Sequence, residues 1–442
     1  MCDITIGKTM DGKEVQLLSR MGCRHGLITG ATGTGKTTTL RLLAEGFAHM
    51  GSQVIVTDIK GDVSGIVGAL DNVHIYDVYG TCGTRFPIML QDLRTDVISR
   101  LLDLTPAQYG AMHVLRKYAQ CNGITIADID DMMELLDYAI SNVDEINEYG
   151  LVSKITLQGI QRGMLRLEED GGASLFGYGG ADMSQVSPRT MIFECERLYQ
   201  TPVLYSTFLL YMLDKMFQLP ECGDIDHPKA VIFFDEAHLL FRNTSKQVVE
   251  RIEQTVKLIR SKGVGVYFIS QNPKDIPDAV LAQLGNRIQH GLRAYTPNEW
   301  KGLKTAASSF RTNPKYNTME EIQKLGIGEA LVSCLDENGV PHVVEKVRIA
   351  TPASGFGSLP EDMFSRYRDT ELEEKIRNAK KGKAEVTESD GKRHWKTTWW
   401  GKTLDVLWII LKWILKIALV VLAAMLYASH NDKKRKINLK NY

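Results

Sequence analysis

The chain has 442 residues, 24% of them charged and 44% hydrophobic, which allows a large buried core and excludes a disordered chain. Its 53 basic and 53 acidic residues give a formal net charge of zero, so any polyanion-binding surface must be local. The 7 cysteines contain no C-x-x-C pair, which excludes a disulfide scaffold or ribbon-type zinc site; they read as reduced cytosolic thiols, and the opening Met1 to Thr5 reads as lacking a signal peptide.

In chain order, the residues before Arg24 read as a short lead-in. His25 to Thr29 is expected to be a buried strand, followed by Gly30-Ala31-Thr32-Gly33-Thr34-Gly35-Lys36-Thr37, which fits G-x-x-x-x-G-K-[ST]. In such a loop the glycines turn backbone N–H groups toward one anion, the lysine adds charge for the outer phosphates, and the Thr37 hydroxyl can ligate Mg²⁺. Thr38 to Phe47 reads as the following helix, its positive dipole end facing the phosphates.

Gln53 to Asp58 and Val73 to Val78 are the next expected strands. The spacing of apolar residues predicts a helical insertion over about residues 93–170, after which Gly171-Gly172 and Gly177 to Gly180 read as a loop returning to the sheet. Met191 to Cys195, Ala230 to Phe234 and Val264 to Ser270 read as strands, and Arg287 to Leu292, Ala330 to Leu335 and His342 to Val347 as the strands that close the sheet. Strands alternating with helices predict an α/β fold with a doubly wound, mainly parallel sheet.

Past Thr351 the composition changes. Residues 351–400 read as a charged helix (Glu361 to Lys383) and a flexible linker (Ala384 to Arg393), 404–428 as a C-terminal apolar helix, and 429–442 as a basic tail. Leu404 to Ala428 holds roughly twenty apolar residues, about a bilayer's length. Lys412, Lys416 and Asp405 share one face of it, and the two lysines oppose insertion by roughly 5–7 kcal/mol, which the apolar residues offset. A span shifted to Ile409–Ala428 lets both lysines snorkel, with Trp395, Trp399, Trp400 and Tyr427 near its ends. The expectation is a membrane helix on the inner face of the cell membrane, carrying a cytoplasmic domain. A helix lying in the interface is the alternative.

Val231 to Phe234 is an apolar run that ends in Asp235-Glu236. Cleaving a phosphoanhydride requires a cation for the charge and a base or positioner for water, so Asp235 is assigned to metal and Glu236 to water. Gln271 follows the Val264 to Ser270 strand, where it can sense the terminal phosphate or cap local backbone. Arg260, Arg287 and Arg293 are candidates for an arginine donated to a neighbouring subunit. Asp58 and Asp62, past the second strand, fit a functional and a loop-organising role equally. His238 lacks a second histidine at metal spacing and reads as structural.

Arg24 to Thr37, Asp58 to Asp62, Phe233 to Phe241, Leu258 to Pro273 and Leu284 to His290 together resemble the HerA–FtsK superfamily, and more narrowly its bacterial HerA-like, YjgR-type branch. The resemblance covers about residues 1–350. It implies a RecA-like P-loop ATPase using ATP and Mg²⁺ in a homo-oligomeric ring, often hexameric, with active sites at subunit boundaries. It implies Lys36 and Thr37 on nucleotide and metal, Asp235 on metal, Glu236 as catalytic carboxylate, Gln271 as sensor and Arg260 as the trans arginine, with a weaker match at Arg287. Relatives move double-stranded DNA, so the expected function is a DNA-translocating motor tethered to a membrane. The alternative is a membrane-associated ATPase whose cycle controls assembly or signalling. The expected partners are further copies of the chain, double-stranded DNA, a separate nuclease or effector, and the membrane. Asp58 to Gly61 also fits the D-x-x-G of GTPases, but no N-K-x-D motif accompanies it. Asp235 to His238 spells DEAH, but the second helicase domain's arginine motif is absent.

Overall fold

The computed structural model describes residues 3–389, apart from 180–182, 184, 185, 188, 243 and 356. The expected apolar helix (404–428), its flanking aromatics and the basic tail lie outside the described residues. Among the described residues no helix is long and apolar enough to cross a membrane.

One sheet of twelve strands organises the chain. The strands are β1 (Ile4–Thr9), β2 (Glu14–Leu17), β3 (Gly26–Thr29), β4 (Gln53–Asp58), β5 (Val73–Asp77), β6 (Thr84–Arg85), β7 (Thr190–Glu194), β8 (Ala230–Phe234), β9 (Val264–Ser270), β10 (Asn286–His290), β11 (Glu329–Ser333) and β12 (Glu345–Ile349). Their order is β2-β1-β12-β11-β10-β3-β9-β8-β4-β7-β5-β6. From β10 to β6 every neighbour is parallel, whereas β2, β1, β12 and β11 join antiparallel. The central strands β3, β4, β8 and β9 are buried along their whole length, as parallel strands covered on both faces must be.

The sheet is therefore mixed and mostly parallel, and it departs from the sequence reading at its antiparallel edge. The lead-in is a β1–β2 hairpin. Ile4 and Ile6 alternate into the core, and Gly12 turns the chain at φ +88°. The last strand starts at Glu345, not His342. Asn313 and Tyr316 both donate to the Val344 carbonyl at 2.8 Å, and the Val344 N–H donates to the Arg311 carbonyl. That backbone is thus occupied before the ladder begins.

The insertion forms helices at Thr95–Leu102, Pro106–Asn122, Ile129–Ser141 and Lys154–Glu169. Asp128 and Asp131 form a reciprocal capping box at the third, which fixes where it starts. Of the described residues, those up to Tyr118 and Thr125–Glu385 cluster as one compact unit.

No break in packing occurs at residue 350. The chain crosses the helix Lys36–His49, where Glu45 accepts the Ala353 N–H at 2.7 Å and Arg41 donates to the Gly357 carbonyl at 2.8 Å. Further on, Leu359 N–H donates to Ser64 Oγ, and the Tyr76 hydroxyl donates to Asp369. The expected charged helix is a 3-10 turn at Glu361–Tyr367 and then a helix at Thr370–Ser389. It is not fully solvated, because Leu372 and Ile376 are buried, and it runs into the stretch expected to be linker.

Candidate nucleotide-hydrolysis site

The phosphate loop joins β3 to the helix Lys36–His49. Gly30 leaves the strand at φ +148°, and a Cβ there would stand 2.6 Å from the Cβ of His290, so only glycine lets the loop pass β10. Gly35 takes φ +114° as the residue that opens the helix. His290 supports the loop from below. Its Nε2 lies 2.9 Å from Thr39 Oγ1, and its Nδ1 lies 3.2 Å from the Glu329 carbonyl. Burial pushes its pKa down to about 4, which keeps the ring neutral beside Lys36.

Lys36 is only 7% exposed and donates to the Gly30 and Ala31 carbonyls at 2.7 and 3.0 Å. Burial lowers its pKa, and the nearby charge of Lys60 lowers it further. Thr37 donates its hydroxyl to Asp62 at 3.0 Å. Asp62 thus joins the site, while Asp58 builds the loop that carries it. The buried Asp58 carboxylate accepts the N–H groups of Lys60 and Val63 at 3.2 and 2.8 Å. Burial, and then Asp62, raise its pKa to about 6.

At the end of β8 the Asp235 backbone is pinned on both sides. Its N–H donates to Thr57 Oγ1 at 3.0 Å, and its carbonyl accepts the Tyr205 hydroxyl at 2.7 Å. Glu236 follows in the left-handed region, φ +44°, which in a non-glycine residue stores on the order of 1 kcal/mol of strain. Gln271, just past β9, donates to Glu236 Oε1 at 3.2 Å. His238 Nδ1 lies 3.3 Å from Glu236 Oε2, and neither atom has a well-oriented hydrogen bond.

The environments of the two carboxylates separate them. Burial, and then the charge of Glu236, raise Asp235 to about 7. Burial also pushes Glu236 up, but His238 and Gln271 outweigh it, and its pKa ends below the usual value. Glu236 is thereby kept ionised and able to accept a proton or orient water, whereas Asp235 gains most from a cation beside it. Thr37 and Asp235 carry oxygen donors of the hard type that Mg²⁺ prefers, and the Thr37 hydroxyl is oriented by its bond to Asp62.

A family model described as "Helicase HerA-like C-terminal" matches residues 3–72 and 69–379. The chain belongs to the HerA-like helicase family. It is a P-loop ATPase, and the match is to the family as a whole. The DNA double-strand break repair helicase HerA of Saccharolobus solfataricus is 22% identical over 401 residues, covering 84% of this chain and 72% of that protein. Among solved structures, the fold of this HerA-like chain is shared by the bacterial conjugative coupling protein TrwBΔN70. The TM-score is 0.56 at 16% identity, covering 81% of this chain and 91% of TrwB. VirB4 of Thermoanaerobacter pseudethanolicus gives a TM-score of 0.56 at 18% identity, covering 81% and 98%.

The arginines of this HerA-like chain lie elsewhere. Arg260 is exposed before the first residue of β9, a seven-residue strand away from Gln271, which is roughly 20 Å. Arg287 donates to the Leu281, Leu284 and Ser309 carbonyls and so ties β10 to its flanking loops. Arg293 donates to the Leu325 carbonyl at 3.3 Å. The sequence leaves Asp62 evenly balanced between a functional and a loop role, and it does not mark His290 as a site residue. Asp62 shared its motif with Asp58, and His290 had no local signature.

Proposed function

We propose that this HerA-like ATPase hydrolyses ATP with Mg²⁺ as a homo-oligomeric ring, on the family's pattern a hexamer, and uses the cycle to move double-stranded DNA. One observation carries the hydrolytic part: Glu236, kept ionised and held by Gln271, sits beside Asp235 on the strand ends that also present Lys36 and the Thr37–Asp62 pair. In this reading Gly30 to Thr38 cradle the phosphates and Lys36 draws charge from the terminal one. Glu236 accepts the proton of the attacking water, which Gln271 helps to place. Thr37 and Asp235 would hold Mg²⁺, which when bound neutralises charge on the phosphate oxygens. TrwB, of like fold, has been solved with ADP and Mg²⁺ and with a non-hydrolysable ATP analogue.

The position of Arg260 supports the ring. It lies at the opposite end of β9 from Gln271, so any part it takes in hydrolysis would be at a neighbour's site in a head-to-tail ring. The DNA reading is supported by the family and by the name of the HerA relative. The deciding experiment is the ATPase rate of assembled protein with long duplex DNA. A rise that weakens with salt supports translocation, because phosphate contacts release counterions. A flat response at low salt would leave the alternative, an ATP cycle that controls assembly or signalling.

We place the ATPase on the cytoplasmic face of a membrane, held by residues 404–428. Retention in the membrane pellet after a carbonate wash, lost on deleting 404–442, supports a span. Release by carbonate indicates surface binding, and a wild-type chain that never sediments with membranes would defeat both.

A further inference from the structure

We propose that Ile327 and Tyr295 form the seat for the base of the nucleotide whose phosphates lie in the Gly30 to Thr37 loop, an assignment that rests on the ATPase reading above. The sheet order β11-β10-β3-β9-β8 decides which way such a nucleotide lies. Glu236 and Gln271 follow β8 and β9, on one side of β3, so a terminal phosphate directed at them turns the nucleoside toward the other side. There β10 runs parallel to β3, and β11 runs antiparallel to β10. The residues leaving β10 and those entering β11 therefore stand at the carboxyl end of the parallel strands, with the phosphate loop. Both segments are bonded to that loop. The Ala31 N–H donates to the Gly291 carbonyl at 2.9 Å, and the Gly328 N–H donates to the Thr34 carbonyl at 3.1 Å. A Cβ on Gly35 would lie 3.4 Å from the Gly328 nitrogen, so the two backbones are in contact.

Ile327 is 85% exposed, although it sits between two glycines in a turn that is bonded at both ends. Gly326 donates its N–H to Glu329 Oε2 at 3.0 Å, and the Gly328 carbonyl accepts the Ile349 N–H at 2.9 Å. Lys346, 3.3 Å from the same Glu329 oxygen, secures the carboxylate. A fixed turn thus holds an apolar side chain out in water, one residue from backbone that touches the phosphate loop. Tyr295, 84% exposed, ends the segment that begins at Gly291. That segment is tied to the same region. The Leu292 N–H donates to the Ile322 carbonyl, Arg293 donates to that of Leu325, and Ala294 and Leu325 belong to one apolar cluster. A nucleobase presents two apolar faces, which lose water against a branched aliphatic chain or an aromatic ring. Backbone N–H groups and Lys36 suit the phosphate end of the ligand, and these two side chains suit the opposite end. Every base has such a face, so the seat adds affinity for nucleoside triphosphates without choosing strongly among them.

The test is equilibrium binding, with Mg²⁺, of a non-hydrolysable ATP analogue and of inorganic tripolyphosphate, which has no base. The proteins are full-length wild type, Ile327→Ala, Ile327→Leu and Tyr295→Ala. Each alanine variant is expected to weaken the analogue roughly five- to tenfold and to leave tripolyphosphate within about twofold. Ile327→Leu, which keeps the apolar volume, is expected to stay near wild type. Melting temperatures check that the variants fold; both side chains are exposed, so they should match wild type. An unchanged ratio of analogue to tripolyphosphate affinity in either alanine variant overturns the assignment of that residue, whether both affinities hold or both fall together. Unchanged affinities with a shift to smaller species in sedimentation also overturn it, and would assign the residue to a contact between subunits. Wild type that binds neither ligand would instead defeat the ATPase reading itself.

Discussion

The side-chain amide of Gln271 donates to the carboxylate of Glu236 across 3.2 Å, linking the residue after β9 to the second residue after β8. This contact helps to hold Glu236 ionised against its own burial. Glu236→Gln removes the proton acceptor and leaves the loop intact. It should keep ATP affinity within a few-fold while lowering kcat by roughly 10²–10⁴. Gln271→Ala should raise the Glu236 pKa and move the acid limb of the kcat profile toward higher pH. Wild-type turnover in Glu236→Gln would show that another group handles the water.

Asp62 accepts the Thr37 hydroxyl, so in the proposed site it would act on Mg²⁺ through Thr37. Asp62→Ala frees the threonine hydroxyl to rotate. The Mg²⁺ concentration for half-maximal ATPase should rise roughly 10–100-fold, the usual penalty for losing a residue that orients a metal ligand. A Mg²⁺ titration that overlays wild type would limit Asp62 to shaping its own loop.

Stability should fall in mild acid. His25 and His290 are both buried with pKa values depressed to about 4, burial being the main cause, against 6.5 for an ordinary histidine. His25 Nδ1 accepts the Val266 N–H, a bond that protonation would break. Between pH 6.5 and 4 the unfolded chain binds protons that the folded one refuses. The neutral histidines' contribution is therefore complete above pH 6.5 and is lost as pH falls toward 4, by about 2 kcal/mol each at pH 5. Thermal melts across this range should show His290→Gln with a shallower slope than wild type, whatever its stability at pH 7.

Arg260 and Glu236 should complement between subunits. Rings mixed from Arg260→Ala and Glu236→Gln subunits contain boundaries at which the intact Arg260 of one parent meets the intact Glu236 of the other. ATPase activity should partly recover in such mixtures and in neither parent alone. Demonstrated mixed rings without recovery would confine Arg260 to its own chain.

Where the chemistry is local, the sequence was readable. Gly30 to Thr37 lies between β3 and its helix and Asp235-Glu236 at the end of β8, where their local patterns put them, and alternating strands and helices imply the parallel sheet. The first hairpin does carry a sequence signal: Asp11-Gly12 following Ile4 and Ile6, two residues apart, is a strong hairpin pattern. His290 is different in kind. It meets Thr39 only because β10 pairs with β3 across 260 residues of chain, and no window along the sequence contains both. Arg287 resembled a donated arginine because a sequence cannot show that three carbonyls already occupy its guanidinium. The boundary placed at residue 350 followed a change of composition. Glu45 and Arg41, however, bind the backbone beyond it, and backbone groups leave no trace in composition.

That crossing segment has a mechanical consequence. Traced back from the carboxyl end, the chain is held first by the buried Leu372 and Ile376 and by Asp369, through Tyr76 and Thr84, then at Leu359, by Ser64, and last at Gly357 to Ala353, by Arg41 and Glu45. A pull on the far end loads these attachments in series, the phosphate-loop helix being reached only after the other two have given way. Force arriving through the tail is therefore borne at the β5 edge before it can disturb the groups that grip the nucleotide.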